Sequence, residues 1–164
     1  MPLDCSIISS IEELKKEDIQ NLLDFEGQDL VNKFEDEFKR GNQCAVACPA
    51  NIGLSSVIWI SKAPFHMQIS GYRTFLLGEA FTIPKMRGKG LLVLLGLFII
   101  KKLVSEDTEN RTRLIANIIF SNRSSIRATL HGGFIKIGIM FIFIKWGLIY
   151  FKELGTTAFR FFRS

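Results

Sequence analysis

Polar and apolar positions follow two different periods along this chain, and each change of period marks an element. Ile11, Leu14, Ile19, Leu22 and Leu23 recur at helical spacing. They follow Ser10 and Glu13, whose three-residue separation is a capping-box signature. A second amphipathic helix is predicted from about Gln28 to Lys39, and Gly41-Asn42 ends this helical first quarter. Three strand-like runs come next: Gln43 to Cys48, Ile52 to Ser61 and Tyr72 to Ile83. Pro49-Ala50-Asn51 and the Lys62 to Gly71 loop separate them, so they read as an antiparallel meander. Ile58, Trp59 and Ile60 mark the middle strand as covered on both faces.

The period changes most abruptly between Phe81 and Val104. Thr82-Ile83-Pro84 closes an extended run, because proline fixes its own φ and keeps its predecessor out of the helical region. Leu91, Leu94, Leu95, Phe98 and Ile99 then recur at helical spacing, and two lysines close the run. Between the two stands Arg87-Gly88-Lys89-Gly90, whose glycines let the backbone turn and let a ligand approach the main chain. A strand, a basic glycine turn and a helix start gather unpaired N–H groups around one point. That is an anion site, and a phosphate or pyrophosphate is the expected anion. Neither common phosphate loop fits. A Walker loop needs Lys-Ser/Thr after its last glycine and a dinucleotide fingerprint needs a third glycine or alanine, whereas Leu91, Leu92 and Val93 follow here. The plainer alternative is a tight corner with solvated charges.

Beyond a polar connection from Ser105 to Thr112, Leu114 to Phe120 reads as a strand, and the strand-helix-strand succession implies a parallel crossover. Asn122 to Phe134 reads as a short helix ended by glycine and followed by a strand. The segment Arg87-Gly88-Lys89-Gly90-Leu91-Leu92 resembles the pyrophosphate signature of the GNAT superfamily of acetyl-CoA-dependent acetyltransferases, Gln/Arg-x-x-Gly-x-Gly/Ala, with Leu92 in place of the last Gly or Ala. Asn122, Ser125, Gly133 and Phe134 are similar in spacing to the second motif of that superfamily, and the distance between the motifs also agrees. The resemblance covers roughly Tyr72 to Gly138.

It implies an α/β fold with a mixed, mostly antiparallel sheet flanked by helices, and transfer of an acetyl group from acetyl-CoA to a primary amine by direct attack in a ternary complex. The main-chain N–H groups of Gly88, Lys89, Gly90, Leu91 and Leu92, helped by the Arg87 and Lys89 side chains, would hold the pyrophosphate. The backbone of Phe81, Thr82 and Ile83 would hold the pantetheine and polarise the acetyl carbonyl. Asn122 and Ser125 would bound the thiol arm. Glu79 matches an acidic position beside the acceptor amine, where a carboxylate can take a proton from an ammonium; a surface-facing strand residue is the alternative. Many members have a tyrosine seven residues after the asparagine, and Thr129, a far weaker acid, stands there. This departure resembles the members connected with surface-polysaccharide or sugar pathways. His131 reads as a substitute acid or as a helix-end surface histidine.

Charge sharpens the picture. Residues 1 to 42 carry 11 acidic and 5 basic side chains, net −6, while 43 to 164 carry 5 acidic and 16 basic, net +11. The basic part holds the glycine corner and suits a polyanionic ligand. No nucleic-acid reader motif accompanies it, so specific nucleic-acid binding is not expected. Cys5, Cys44 and Cys48 lie in apolar surroundings without paired histidines, which points to reduced thiols and no metal site. With an N-terminus that lacks a secretory layout, the expectation is a cytoplasmic protein, monomeric or homodimeric.

The 164 residues suit one domain: an acidic helical part over 1–42, a sheet and cofactor core over 43–154 and a tail over 155–164. Phe134 to Phe151 is long enough to span a bilayer. Lys136, Lys145, Gly138 and Gly147 interrupt it, so a hairpin turning near Lys145-Trp146-Gly147 and packed into the sheet is expected instead. The tail from Thr156 to Ser164 reads as membrane-facing, disordered or packed on the core. The rival functional classes are a non-catalytic acyl-CoA-binding module and a membrane-surface or partner-binding module on a degenerate version of the same fold.

Overall fold

The computed structural model describes residues 2–105, 107–119, 121–135, 138–143, 148–153 and 161–163. They belong to two compact units, Met1–Gly132 and Gly133–Ser164.

The first unit is built on a five-stranded sheet in the order β1 (Leu3–Ile8), β2 (Gln43–Pro49), β3 (Ser56–Lys62), β4 (Arg73–Thr82), β5 (Thr112–Ala116). Neighbours β1 to β4 are antiparallel and β5 runs parallel to β4. The meander and the crossover are as the sequence predicts, and β1 is an addition that the sequence reading did not assign. Val57 to Ile60 are all buried, as a strand with covered faces requires.

Strand alternation sends Cys44, Val46, Val57 and Trp59 to one face, where they pack with Leu22 of α1 (Lys16–Glu26) and Leu30, Val31 and Phe34 of α2 (Gln28–Lys39). Five aromatic rings weld this layer. Phe34 meets Trp59 edge-on at 4.8 Å and Phe38 at 6.1 Å, while Phe25 of α1 stacks on Phe81 of β4 at 5.5 Å. Ala45 and Ala47 face the other way and are fully buried. Their small side chains let α3 (Leu91–Ile99) lie close across the strands. After Ile99 the helix widens into π-helical turns over Ile100–Ser105.

Among the boundaries that differ from the sequence reading, two lie around α1. The Glu13 carboxylate does cap, accepting from Ser9 N at 2.7 Å and Ser10 N at 3.0 Å, but it caps a single 3-10 turn over Ile11–Glu13. The α-helix proper starts at Lys16, where Asp18 accepts from Lys15 N at 3.2 Å. The second expected strand also shifts: β3 begins at Ser56 rather than Ile52, because residues 52 to 54 turn against α1. There Asp18, only 4% exposed, accepts from Leu54 N at 2.6 Å, and Asn21 donates to Ile52 O at 2.7 Å.

In the second unit β6 (Gly138–Phe143), β7 (Leu148–Glu153) and β8 (Phe161–Arg163) pair antiparallel in that order. The expected hairpin is therefore present, but it is hydrogen-bonded in a three-stranded sheet of its own instead of joining the five-stranded one. Part of the tail, Phe161–Arg163, is its third strand. The turn expected at Lys145-Trp146-Gly147 and residues 154–160 lie outside the described residues. Among the described residues no helix is long and apolar enough to cross a membrane.

Candidate active site

β4 changes partner along its length, and that change builds the site. Its first half is paired on both sides. Ile60 and Lys62 of β3 face Leu77 and Phe75, while Arg73 to Leu77 run parallel with Thr112 to Ala116. Pairing with β5 then stops. On the β3 side the register slips by one residue between Leu77 and Ala80, which is a bulge carrying the extra residue on β4. Gly78, Glu79 and Ala80, the residues at the bulge, are exposed.

The slip decides which main-chain groups face the gap. Arg73 N donates to Arg111 O at 2.7 Å, so in the first half odd-numbered residues turn toward β5. Beyond the bulge Ile83 N donates to Ser55 O at 3.0 Å, so odd-numbered residues now turn toward β3. The main-chain groups of Ala80 and Thr82 are thereby left on the open side. Of the three residues expected to offer their backbone, Phe81 already accepts at its C=O from Ser56 Oγ (3.0 Å) and Ile83 N is committed to β3, which leaves Thr82 facing the gap.

The open edge runs into the glycine corner. A one-turn helix over Pro84–Met86 anchors it, with Met86 buried against Ile83 and Leu91. Gly88 and Gly90 have φ of +74° and +76°, and a Cβ at either would meet no atom within 4 Å. The requirement for glycine here is therefore conformational, and the space above the corner is open. Gly90 is the N-cap residue of α3, and its carbonyl takes the first helical bond, from Leu94 N at 3.0 Å. The N–H groups of the first turn thus point out of the helix end. Arg87 bridges corner and strand, its Nε donating to Thr82 O at 3.0 Å, and Lys89 reaches Met86 Sδ at 3.4 Å. Residues 87 to 90 are exposed, and Leu91 turns into the core. Leu92, the residue departing from the resemblance, is half-buried in that first turn.

The second predicted motif lies on α4 (Arg123–His131), which packs beside α3. Asn122 is its N-cap: Oδ1 accepts from Ser125 N at 3.1 Å and from Ser124 Oγ at 2.9 Å. The two residues expected to bound a thiol arm are thus held together by a cap, a role that needs no ligand. Thr129 is half-buried and His131 is exposed. Glu79 pairs with Lys33 of α2, both of them largely exposed, so its carboxylate stands at the seam between the bulge and the acidic helical layer. The three cysteines are free thiols. Among the described residues no cluster of His, Cys, Asp and Glu is arranged to hold a metal.

Sequence reasoning located the corner because glycine and proline mark it locally. It missed the bulge and the parting of β4 from β5, for which Gly78 is the sole local signal.

No protein-family model matches the sequence, and no curated protein matches it. Solved structures do match. The chain is similar to AAC(6')-Iy, determined in complex with a bisubstrate analog, CoA-S-monomethyl-acetylneamine, with 14% identity over 83% of this chain and 92% of that one at a TM-score of 0.57. It is similar to the ribosomal-protein-alanine N-acetyltransferase of Brucella melitensis biovar Abortus 2308, with 14% identity over 77% and 86% and a TM-score of 0.55. A Bacillus subtilis acetyltransferase in complex with CoA matches at 16% identity over 85% and 78%, with a TM-score of 0.52. Likeness at these identities speaks to architecture: with its mixed five-stranded sheet flanked by helices, the chain has the GNAT acetyltransferase fold.

Proposed function

We propose that this chain is an acetyl-CoA-dependent N-acetyltransferase acting on a primary amine. The observation that carries the reading is the parting of β4 from β5 after Leu77 and Ala116, directly before the helix end at Gly90. An extended acyl-pantetheine arm can lie along the open edge and hydrogen-bond to the main chain of Ala80 and the N–H of Thr82, the Thr82 carbonyl being taken by Arg87. Its pyrophosphate then meets the N–H groups at the start of α3, with Arg87 and Lys89 at hand. The amine would attack the thioester carbon directly, the C–N bond forming as the C–S bond breaks and CoA leaves as thiolate, to be protonated to the free thiol. The carbonyl oxygen gains charge in that step, and a main-chain N–H of the open edge is suited to stabilise it. Glu79 would take the ammonium proton, and its Lys33 partner would have to yield to the acceptor. Thr129 is proposed to border the thiol arm, with Asn122 and Ser125 fixing the helix end beside it.

The test is release of free CoA thiol from acetyl-CoA in the presence of a panel of amines: small amines, polyamines, amino sugars and peptide N-termini. Amine-dependent release that Glu79→Gln slows while acetyl-CoA binding persists supports the assignment. Binding without release for any amine is what a non-catalytic acyl-CoA module predicts, a second reading that Leu92 and Thr129 favour.

A further inference from the structure

The opposite end of the five-stranded sheet, where β4 and β5 begin, carries a surface that acyl transfer does not use. The β3–β4 connection displays Phe65 at 84% exposure and Ile69 and Tyr72 at 40% each. These side chains stand on a built loop. Residues Phe65–Met67 form one 3-10 turn, Gln68 Nε2 donates to Ala63 O at 3.0 Å, and Ile69 N donates to Thr74 Oγ1 at 3.1 Å. Beside it, the segment leading into β5 brings up Arg111 and Arg113. The Arg113 guanidinium lies 4.0 Å over the Tyr72 ring and donates to Asn110 O and Thr112 O, so it is held flat. Gly71, Tyr72, Glu109, Asn110, Arg111 and Arg113 enclose an open concavity of about 620 Å³. Of the nearby acids, Asp107 is occupied by Arg73 and by the N–H groups of Glu109 and Arg111, and Glu109 lies 3.7 Å from Arg111.

We propose that this end of the sheet docks on an anionic lipid surface, with Phe65 and Ile69 entering the headgroup–acyl boundary and Arg111 and Arg113 meeting lipid phosphates or carboxylates. Charge and shape both select this partner. A protein interface of ordinary size needs roughly 800 Å² of fitted surface with its aromatics seated in the centre. Here Phe65 protrudes almost wholly free on a loop whose Tyr72 is flanked by the Arg113 guanidinium, and apolar protrusion beside cations is the layout for shallow insertion into a membrane interface.

The test is co-sedimentation of the full chain with vesicles of phosphatidylserine and phosphatidylcholine, about one to two, against phosphatidylcholine alone. Binding to the anionic vesicles that falls with added salt is expected. Phe65→Ser/Ile69→Ser should lower the partition constant at least about tenfold, and Arg111→Gln about fivefold. Both variants change exposed side chains, so their melting temperatures should match the parent's. Absence of vesicle binding overturns the proposal, as does equal binding to neutral vesicles. Binding that both variants retain in full places the contact elsewhere on the chain and overturns it too. Capture by immobilised polyglutamate, lost in the charge variant and without vesicle binding, would replace the lipid with an acidic protein.

Discussion

Replacing Gly53 by alanine tests how firmly α1 is pinned to the sheet. Gly53 has φ of +73°, and a Cβ there would lie 2.7 Å from Asn21 Nδ2 and 2.9 Å from Asp18 Oδ1. Those two side chains cannot swing away cheaply. Asp18 holds Leu54 N and Asn21 holds Ile52 O. Gly41 and Gly71 have the same handedness, each with φ of +78° and open space around the added atom. Alanine at either control position costs only the left-handed backbone, about 1 to 2 kcal/mol. Gly53→Ala costs that much and also displaces a charged hydrogen bond, worth about 1.5 to 3 kcal/mol, with or without a neutral one of about 1 kcal/mol. The excess over the controls should therefore be about 1.5 to 4 kcal/mol in urea unfolding followed by tryptophan fluorescence. Equal losses at the three glycines would refute the pinning argument. Because Phe25 of α1 stacks on Phe81 of β4, a loosened α1 should also weaken amine turnover more than acetyl-CoA binding.

Three further outcomes are expected. Asn122→Ala removes the cap that accepts from Ser125 N and Ser124 Oγ, and should cost about 1 kcal/mol in the same unfolding assay while leaving the far-UV spectrum close to the parent's. The Thr112 hydroxyl, foremost, and the N–H groups of Glu109 and Arg111 hold the Asp107 carboxyl down at about 2. A folded-state value below the unfolded one stabilises above about pH 4. The difference in stability between the parent and Asp107→Asn should thus be constant from neutral pH down to about 5 and shrink as pH falls from about 4 toward 2. Burial, with Asp18 and Asp4 nearby, pushes the Cys48 thiol up to about 12, and burial raises Cys44 further. At pH 8 iodoacetamide should label neither in the native protein and both in denaturant; rapid native labelling of Cys44 would contradict its packing.

What could be read from the sequence was whatever a few neighbouring residues decide. Helix α2 falls on Gln28–Lys39 as expected because Gly27, with φ of +75°, ends one helix and admits the next. The glycine corner and the Asn122 cap are equally local. Errors arose where a distant contact overrides the local pattern. Ser10 and Glu13 look like the start of a helix and do form a cap, yet Leu14 turns extended and the helix restarts after Lys15. Ile52 to Ser55 look like strand, but Asp18 and Asn21 of α1 hold that stretch as a turn. Strand β5 was expected at Leu114 to Phe120 and is found at Thr112–Ala116, since its extent follows where β4 remains available for pairing. The open edge of β4 belongs to the same class: it results from the bulge and the departure of β5, and no run of apolar residues encodes it.

Thermal unfolding of the full chain with acetyl-CoA, beside a Gly90→Val variant, tests the central claim most directly. Ligand at a hundredfold over its Kd should stabilise the parent by about 2.7 kcal/mol, and the variant, forced out of φ +76° at the head of α3, should lose that response. A rise in melting temperature confined to the parent is the predicted result. No shift at millimolar acetyl-CoA in folded protein, or an equal shift in both chains, would contradict the assignment of the β4 edge and the glycine corner as the cofactor site.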